Sequence, residues 1–126
     1  MSAVSVRYIV DDVDAAIAFY VELLGFAVEL HPAPGFARLA QGDLRLLLSA
    51  PGGPGGAAQP MPDGREPQPG GWNRIQLEVI DLEGTVATLR EAGARFRNEI
   101  VEGRGGRQIL VDDPAGNAVE LFEPAG

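Results

Sequence analysis

One pattern occurs twice in this chain, and it limits the fold more than any other feature. Over residues 74–80, Ile75, Leu77 and Val79 alternate with Arg74, Gln76 and Glu78, and Asp81 follows. Over residues 4–10, Val4, Val6, Tyr8 and Val10 alternate with Ser5, Arg7 and Ile9, and Asp11-Asp12 follows. A period of two places one row of side chains on a core and the other on the opposite face of a strand. An aspartate directly after the strand can cap a helix, and either Asp11 or Asp12 fits that role in the first copy.

Both copies then switch to helical spacing. Val13, Ala16, Ile17, Tyr20, Leu23 and Leu24 predict an amphipathic helix with Asp14 in its first turn and Gly25 as its stop. Leu82, Val86 and Leu89 predict the second helix, with Glu83 in the first turn and Gly93 as the stop. Strands are expected at 26–30, 36–40 and 44–49 after the first helix, and at 94–97, 107–111 and 118–123 after the second. Gln41-Gly42-Asp43 and Asp113-Pro114-Ala115-Gly116-Asn117 read as turns, because proline fixes one backbone angle and Gly and Asn tolerate positive φ. The chain is therefore two β-α-β-β-β units, an internal repeat.

Residues 51–71 separate the units. Thirteen of these twenty-one positions are Gly or Pro, and no period runs through them. Such a stretch is longer than most connections inside a domain, so it is either an exposed, flexible linker or part of a site.

Composition excludes several classes. A length of 126 residues suits one domain, with 45% hydrophobic and 22% charged residues. No apolar run approaches the ~20 residues of a membrane span, and the N-terminal sequence lacks the basic-then-apolar layout of a secretory signal. A cytoplasmic location is expected. The absence of cysteine excludes disulfides, thiolate metal sites and cysteine nucleophiles. A net charge of −8 argues against nucleic acid as a partner.

Three stretches carry a resemblance: Val10-Asp11-Asp12-Val13-Asp14-Ala15-Ala16-Ile17-Ala18-Phe19-Tyr20, Leu23-Leu24-Gly25-Phe26, and Asp112-Asp113-Pro114-Ala115-Gly116-Asn117-Ala118-Val119-Glu120-Leu121-Phe122-Glu123-Pro124. They resemble the vicinal-oxygen-chelate superfamily, which includes glyoxalase I, extradiol dioxygenases, and the bleomycin- and fosfomycin-resistance proteins. The resemblance implies an α+β domain in which paired βαβββ modules form a curled mixed sheet, a cup, with helices outside. It sets a first module at 1–50, a linker at 51–71 and a second module at 72–126.

Metal-dependent members of that superfamily offer His, Gln or Glu to one ion from the first and last strands of both modules. The corresponding positions here are Ser5, Leu47, Arg74 and Glu120. Only Glu120 is a good ligand, and Arg74 places a positive charge where an ion would bind. The lone histidine, His31, is expected between the second and third strands, away from these positions. No metal and no cofactor is expected, and Arg74 and Glu120 are expected to pair across the floor of the cup.

Alternation assigns the cavity-facing side chains. Ser5, Arg7 and Ile9, then Arg45, Leu47 and Ser49, face it from the first module; Arg74, Gln76, Glu78, Ala118, Glu120 and Phe122 face it from the second. Trp72 and Phe36 follow Gly-Pro stretches outside the helical stripes, where an aromatic ring can stack on a flat ligand or a cation. The expected ligand-binding set is Arg7, Phe36, Arg38, Leu47, Trp72, Arg74, Gln76, Glu78, Gln108, Leu110, Glu120 and Phe122.

With no cysteine, no histidine in the cup and no Ser-His pair, catalytic candidates reduce to Glu78 or Glu120 as a lone base. The superfamily's short, acidic, ligand-poor members resemble this chain most. That implies a homodimer sequestering a bulky, partly aromatic antibiotic or metabolite, such as bleomycin or an enediyne, in a cleft between subunits without modifying it. The alternative is a glyoxalase-like lyase acting on a small carbonyl or thiol adduct.

Overall fold

The computed structural model describes residues 3–126, so Met1 and Ser2 of the expected first module lie outside the described residues. In chain order the elements are β1 (Val4–Ile9), α1 (Val13–Ala18) running into a π-helical turn (Phe19–Leu23), β2 (Ala27–Ala33), β3 (Phe36–Gln41) and β4 (Leu44–Ser49). A 3₁₀ turn (Gly56–Ala58) precedes β5 (Ile75–Glu78), α2 (Leu82–Glu91), β6 (Arg95–Phe96), β7 (Val101–Glu102), β8 (Gly106–Asp112) and β9 (Ala118–Pro124).

The architecture is α+β, as the repeated pattern requires. Hydrogen bonding divides it into two unclosed mixed sheets, ordered β1-β4-β3-β2 and β5-β9-β8-β6, with β7 also on β8. In each sheet the strand before the helix lies parallel beside the last strand, and the others are antiparallel. The helix supplies the crossover that a parallel pair needs.

Asp12 and Asp81 cap the helices, accepting from the amides of Ala15 and Gly84 at 3.0 Å each. Gly25 and Gly93 end them with φ of 78° and 86°, a backbone region that other residues enter at a steric cost. The first helix departs from its expected form, because α-helical geometry gives way to a π turn at Phe19. The wider turn lets the adjacent rings of Phe19 and Tyr20 both enter the core, edge to face at 5.1 Å.

Four further departures concern strand limits. β2 continues through His31 and Pro32, so His31 belongs to a strand and not to a connection. β2 is an edge strand with two register irregularities, where a proline has no ladder bond to lose. β5 stops at Glu78, because the chain turns at Ile80 toward the Asp81 cap and leaves Ile80 99% exposed. The strand expected at 94–97 is reduced to Arg95–Phe96, and β7, which alternation did not indicate, pairs with the start of β8.

One core serves both sheets. Tyr8, Val10, Leu39, Leu46 and Leu48 belong to the same buried cluster as Ile75, Leu77, Val86, Ile109, Val119 and Leu121. Side chains also join the modules. Tyr8 Oη donates to the Ala118 carbonyl at 2.7 Å and accepts from the Ile75 amide at 2.9 Å. Tyr20 Oη donates to Asp113 Oδ2 at 2.8 Å, and Asn117 Nδ2 donates to the Ile9 carbonyl at 2.8 Å.

Candidate functional site

Strand alternation leaves each sheet with a face turned away from the core, and the expected binding residues are spread over both faces. Across the first sheet the register aligns Arg7 with Leu47 and Leu47 with Arg38, and in the next row aligns Ile9, Ser49 and Phe36. At the end of this face lies a cavity of about 380 Å³ lined by Arg7, Ser49, Phe36, Pro32, Ala33 and the loop Pro54–Ala57. Its walls are largely apolar, and its polar groups are few.

The loop wall comes from the Gly/Pro-rich stretch. Ala58 is fully buried and its carbonyl accepts from the Gly52 amide at 2.7 Å, while Gln59 Nε2 donates to the carbonyls of Gly53 and Gly55. At the far end, the Gly70 amide donates to Asn117 Oδ1 at 2.8 Å. Gly53 packs against Gly35, and a Cβ on it would meet the Gly35 carbonyl oxygen at 3.1 Å. That close approach carries the loop onto the sheet edge beside Phe36.

Charges on this face are partly neutralised. Glu29 bridges two arginines, with Oε1 2.8 Å from Arg38 Nε and Oε2 2.9 Å from Arg45 Nε. Arg38 and Arg45 are thereby turned onto one carboxylate, and neither lines the cavity. Leu47 is half-buried between Arg7 and Arg38 in the register.

The second sheet carries a different arrangement. Arg74 Nη2 lies 2.9 Å from Glu120 Oε1, and its Nε donates to the same oxygen at 3.1 Å. Gln76 Nε2 donates to Glu120 Oε2 at 2.6 Å. The expected pairing of Arg74 with Glu120 is present, and Gln76 completes it. Leu110 is buried in register with Glu120, whereas Glu78 and Gln108 flank Phe122 in the next row.

Trp72 is 70% exposed, and Arg97 covers one face of its ring at 4.8 Å from the centroid. Arg97 is itself held by Asp112 at 2.6 Å and by the carbonyls of Gly71 and Gly116. Arg97 was not among the expected site residues: the expected strand at 94–97 made it only a strand end, and the docking of that end beside Trp72 has no local signal. Pro32, Ala33 and Pro54–Ala57 were also missed as cavity walls, because composition marks a loop without saying where it docks.

These donors do not fit a divalent ion. Both oxygens of Glu120 are engaged, the Arg74 guanidinium occupies the neighbouring position, and Leu47 offers no donor atom. Among the described residues no three His, Cys, Asp or Glu side chains converge.

A second polar centre lies where the modules join. Asp113 is 1% exposed and accepts from Tyr20 Oη, the amides of Ala115 and Asn117, and Asn117 Nδ2. Burial pushes its carboxyl above the usual value of 3.8, and the hydrogen bonds offset only part of that rise. Every donor around it is in use for structure.

Comparison with known proteins now places the chain. The family model "Glyoxalase/Bleomycin resistance protein/Dioxygenase superfamily" matches residues 3–121, and the chain belongs to that superfamily. A superfamily member of solved structure from Sphaerobacter thermophilus is 30% identical, with a TM-score of 0.73, covering 98% of this chain and 97% of its own. TnmS3, an antibiotic-binding protein from Streptomyces sp. CB03234, is 25% identical, with a TM-score of 0.74 and coverage of 99% and 97%. A lactoylglutathione lyase from Agrobacterium tumefaciens is also 25% identical, with a TM-score of 0.72 and coverage of 98% and 94%. Among curated proteins none matches.

Proposed function

We propose that this protein sequesters a bulky, partly aromatic small molecule, an antibiotic or related metabolite, and does not transform it. The observation that carries this reading is the contrast between the two faces. The first offers an apolar recess with an aromatic wall and a polar anchor, whereas on the second the two positions that correspond to metal ligands, Arg74 and Glu120, satisfy each other with the help of Gln76. Similarity to the antibiotic-binding TnmS3 supports it.

The protein acts as a cytoplasmic homodimer in this reading. The cavity is open on one side, and a second copy would close it. Light scattering should then give twice the chain mass of 13.3 kDa.

The direct test is a thermal-shift screen of bleomycins, enediynes and flat aromatic metabolites in chelator, because a ligand that binds only the native state raises its melting temperature. A shift in chelator, with the compound recovered intact, is the expected result. The lyase reading draws on the similarity to the Agrobacterium enzyme. Product formed from a glutathione–methylglyoxal adduct, and lost in Glu120→Gln, would put that reading first.

A further inference from the structure

Basic residues in this chain are all arginine, ten of them, in a protein of net charge −8. Most are spent on internal ion pairs: Arg38 and Arg45 on Glu29, Arg65 on Asp63, Arg74 on Glu120, Arg90 on Glu99, Arg97 on Asp112, Arg107 on Glu123. Arg7 forms no ion pair or hydrogen bond among the described residues, yet it lines the cavity at the end of the first-sheet face. Its neighbours there are Phe36, Ala33, prolines and glycines, with Ser49 as the other polar side chain. Glu29, the acid held on that face, is already shared between two arginines.

Resting on the sequestering reading, we propose that this cavity selects an anionic aromatic ligand, with Arg7 holding its carboxylate or equivalent oxyanion. A guanidinium presents parallel N–H donors that match two oxyanion oxygens, and an apolar surround strengthens that pairing relative to water. Ser49, one register row further along β4, adds a hydroxyl donor beside the same space. The ring system of the ligand packs on Phe36 and the proline walls. A cationic ligand would meet an uncompensated positive charge there, so the site discriminates by repulsion as well as by attraction. Acidity of the whole chain therefore does not predict the charge of the ligand, because the recess is locally basic.

Three probes that differ only in one substituent test this: anthracene-2-carboxylate, its carboxamide and 2-(aminomethyl)anthracene, titrated by fluorescence into wild type, Arg7→Gln and Phe36→Ala. Arg7 is exposed, so the Arg7→Gln variant should melt like wild type. Wild type should bind the carboxylate about tenfold more tightly than the carboxamide, and the ammonium most weakly. Arg7→Gln should bring carboxylate and carboxamide to within about twofold, while Phe36→Ala weakens all three alike. Equal binding of carboxylate and carboxamide to wild type, tightest binding of the ammonium, or an anion preference that survives in Arg7→Gln would overturn the proposal and leave the binding pocket standing. If no probe binds wild type at all, the pocket reading falls with it.

Discussion

Tyr8 shows how much one hydroxyl can carry. Its ring belongs to the core, and its oxygen links the Ile75 amide to the Ala118 carbonyl, one from each of the two parallel-paired strands of the second sheet. Burial raises its pKa above the usual 10.0, so it stays a donor at neutral pH. Tyr8→Phe keeps the packing and strands two buried backbone groups. The expected loss is about 3 kcal/mol, since each unsatisfied group costs roughly 1–3 kcal/mol. A urea melt measures it, and a loss well under about 1 kcal/mol would mean that water replaces the hydroxyl. Asn117 acts similarly, taking the Gly70 amide and giving to the Ile9 carbonyl, so the residue that ends the β8–β9 turn also anchors the loop.

At the scale of elements, the start of α2 is tied to β9. Glu123 Oε1 accepts from the Leu82 amide at 2.8 Å, and Oε2 from Arg107 Nη2 at 3.1 Å. The Leu82 bond and then Arg107 hold its carboxyl below the usual 4.5. A lowered carboxyl pKa contributes stability that is present above the ordinary value and lost as pH falls through the lowered one. The stability gap between wild type and Glu123→Gln should therefore be full at neutral pH and close as pH falls below the ordinary carboxyl value of 4.5 and through the lowered one. Thermal melts across that range check it, and a gap unchanged in acid would trace the effect to shape and not to charge. Asp113 works in the opposite sense: its raised pKa means that its burial is tolerated best when protonated and costs stability as pH rises through that value.

The whole molecule is held by one core drawn from both modules, so the connection between them need not be intact for them to stay together. The loop is anchored at 52–59 and at Gly70, whereas Arg65 between these anchors has a side chain 80% exposed. Trypsin is expected to nick first after Arg65, because proteases cut where an exposed backbone can adapt to them. The turn at Arg65 is closed by the Met61 amide on the Arg65 carbonyl at 2.7 Å, but no strand flanks Arg65, whereas exposed Arg104 sits between the paired strands β7 and β8. The fragments 1–65 and 66–126 should co-elute on gel filtration. Separation without denaturant would mean that each module holds its own core.

Period-two alternation followed by an aspartate cap was enough to write the two β-α-β-β-β units, because both signals are local: side-chain direction along a strand and one carboxylate on the amide three residues on. The same alternation put Arg74, Gln76 and Glu120 on one face, and parallel register between β5 and β9 made them neighbours. Contacts that depend on how elements dock were not in the sequence. The Gly/Pro stretch became a cavity wall through the approach of Gly53 to Gly35, and Trp72 acquired Arg97 from a strand end 25 positions away. The π turn and the extension of β2 through Pro32 were likewise decided by packing around Phe19 and Tyr20 and by an edge strand's lack of a ladder partner on its outer side. Composition counted ten cations; the tertiary structure decided that Arg7 alone among them lines the cavity on the first-sheet face, where Glu29 holds Arg38 and Arg45 to itself.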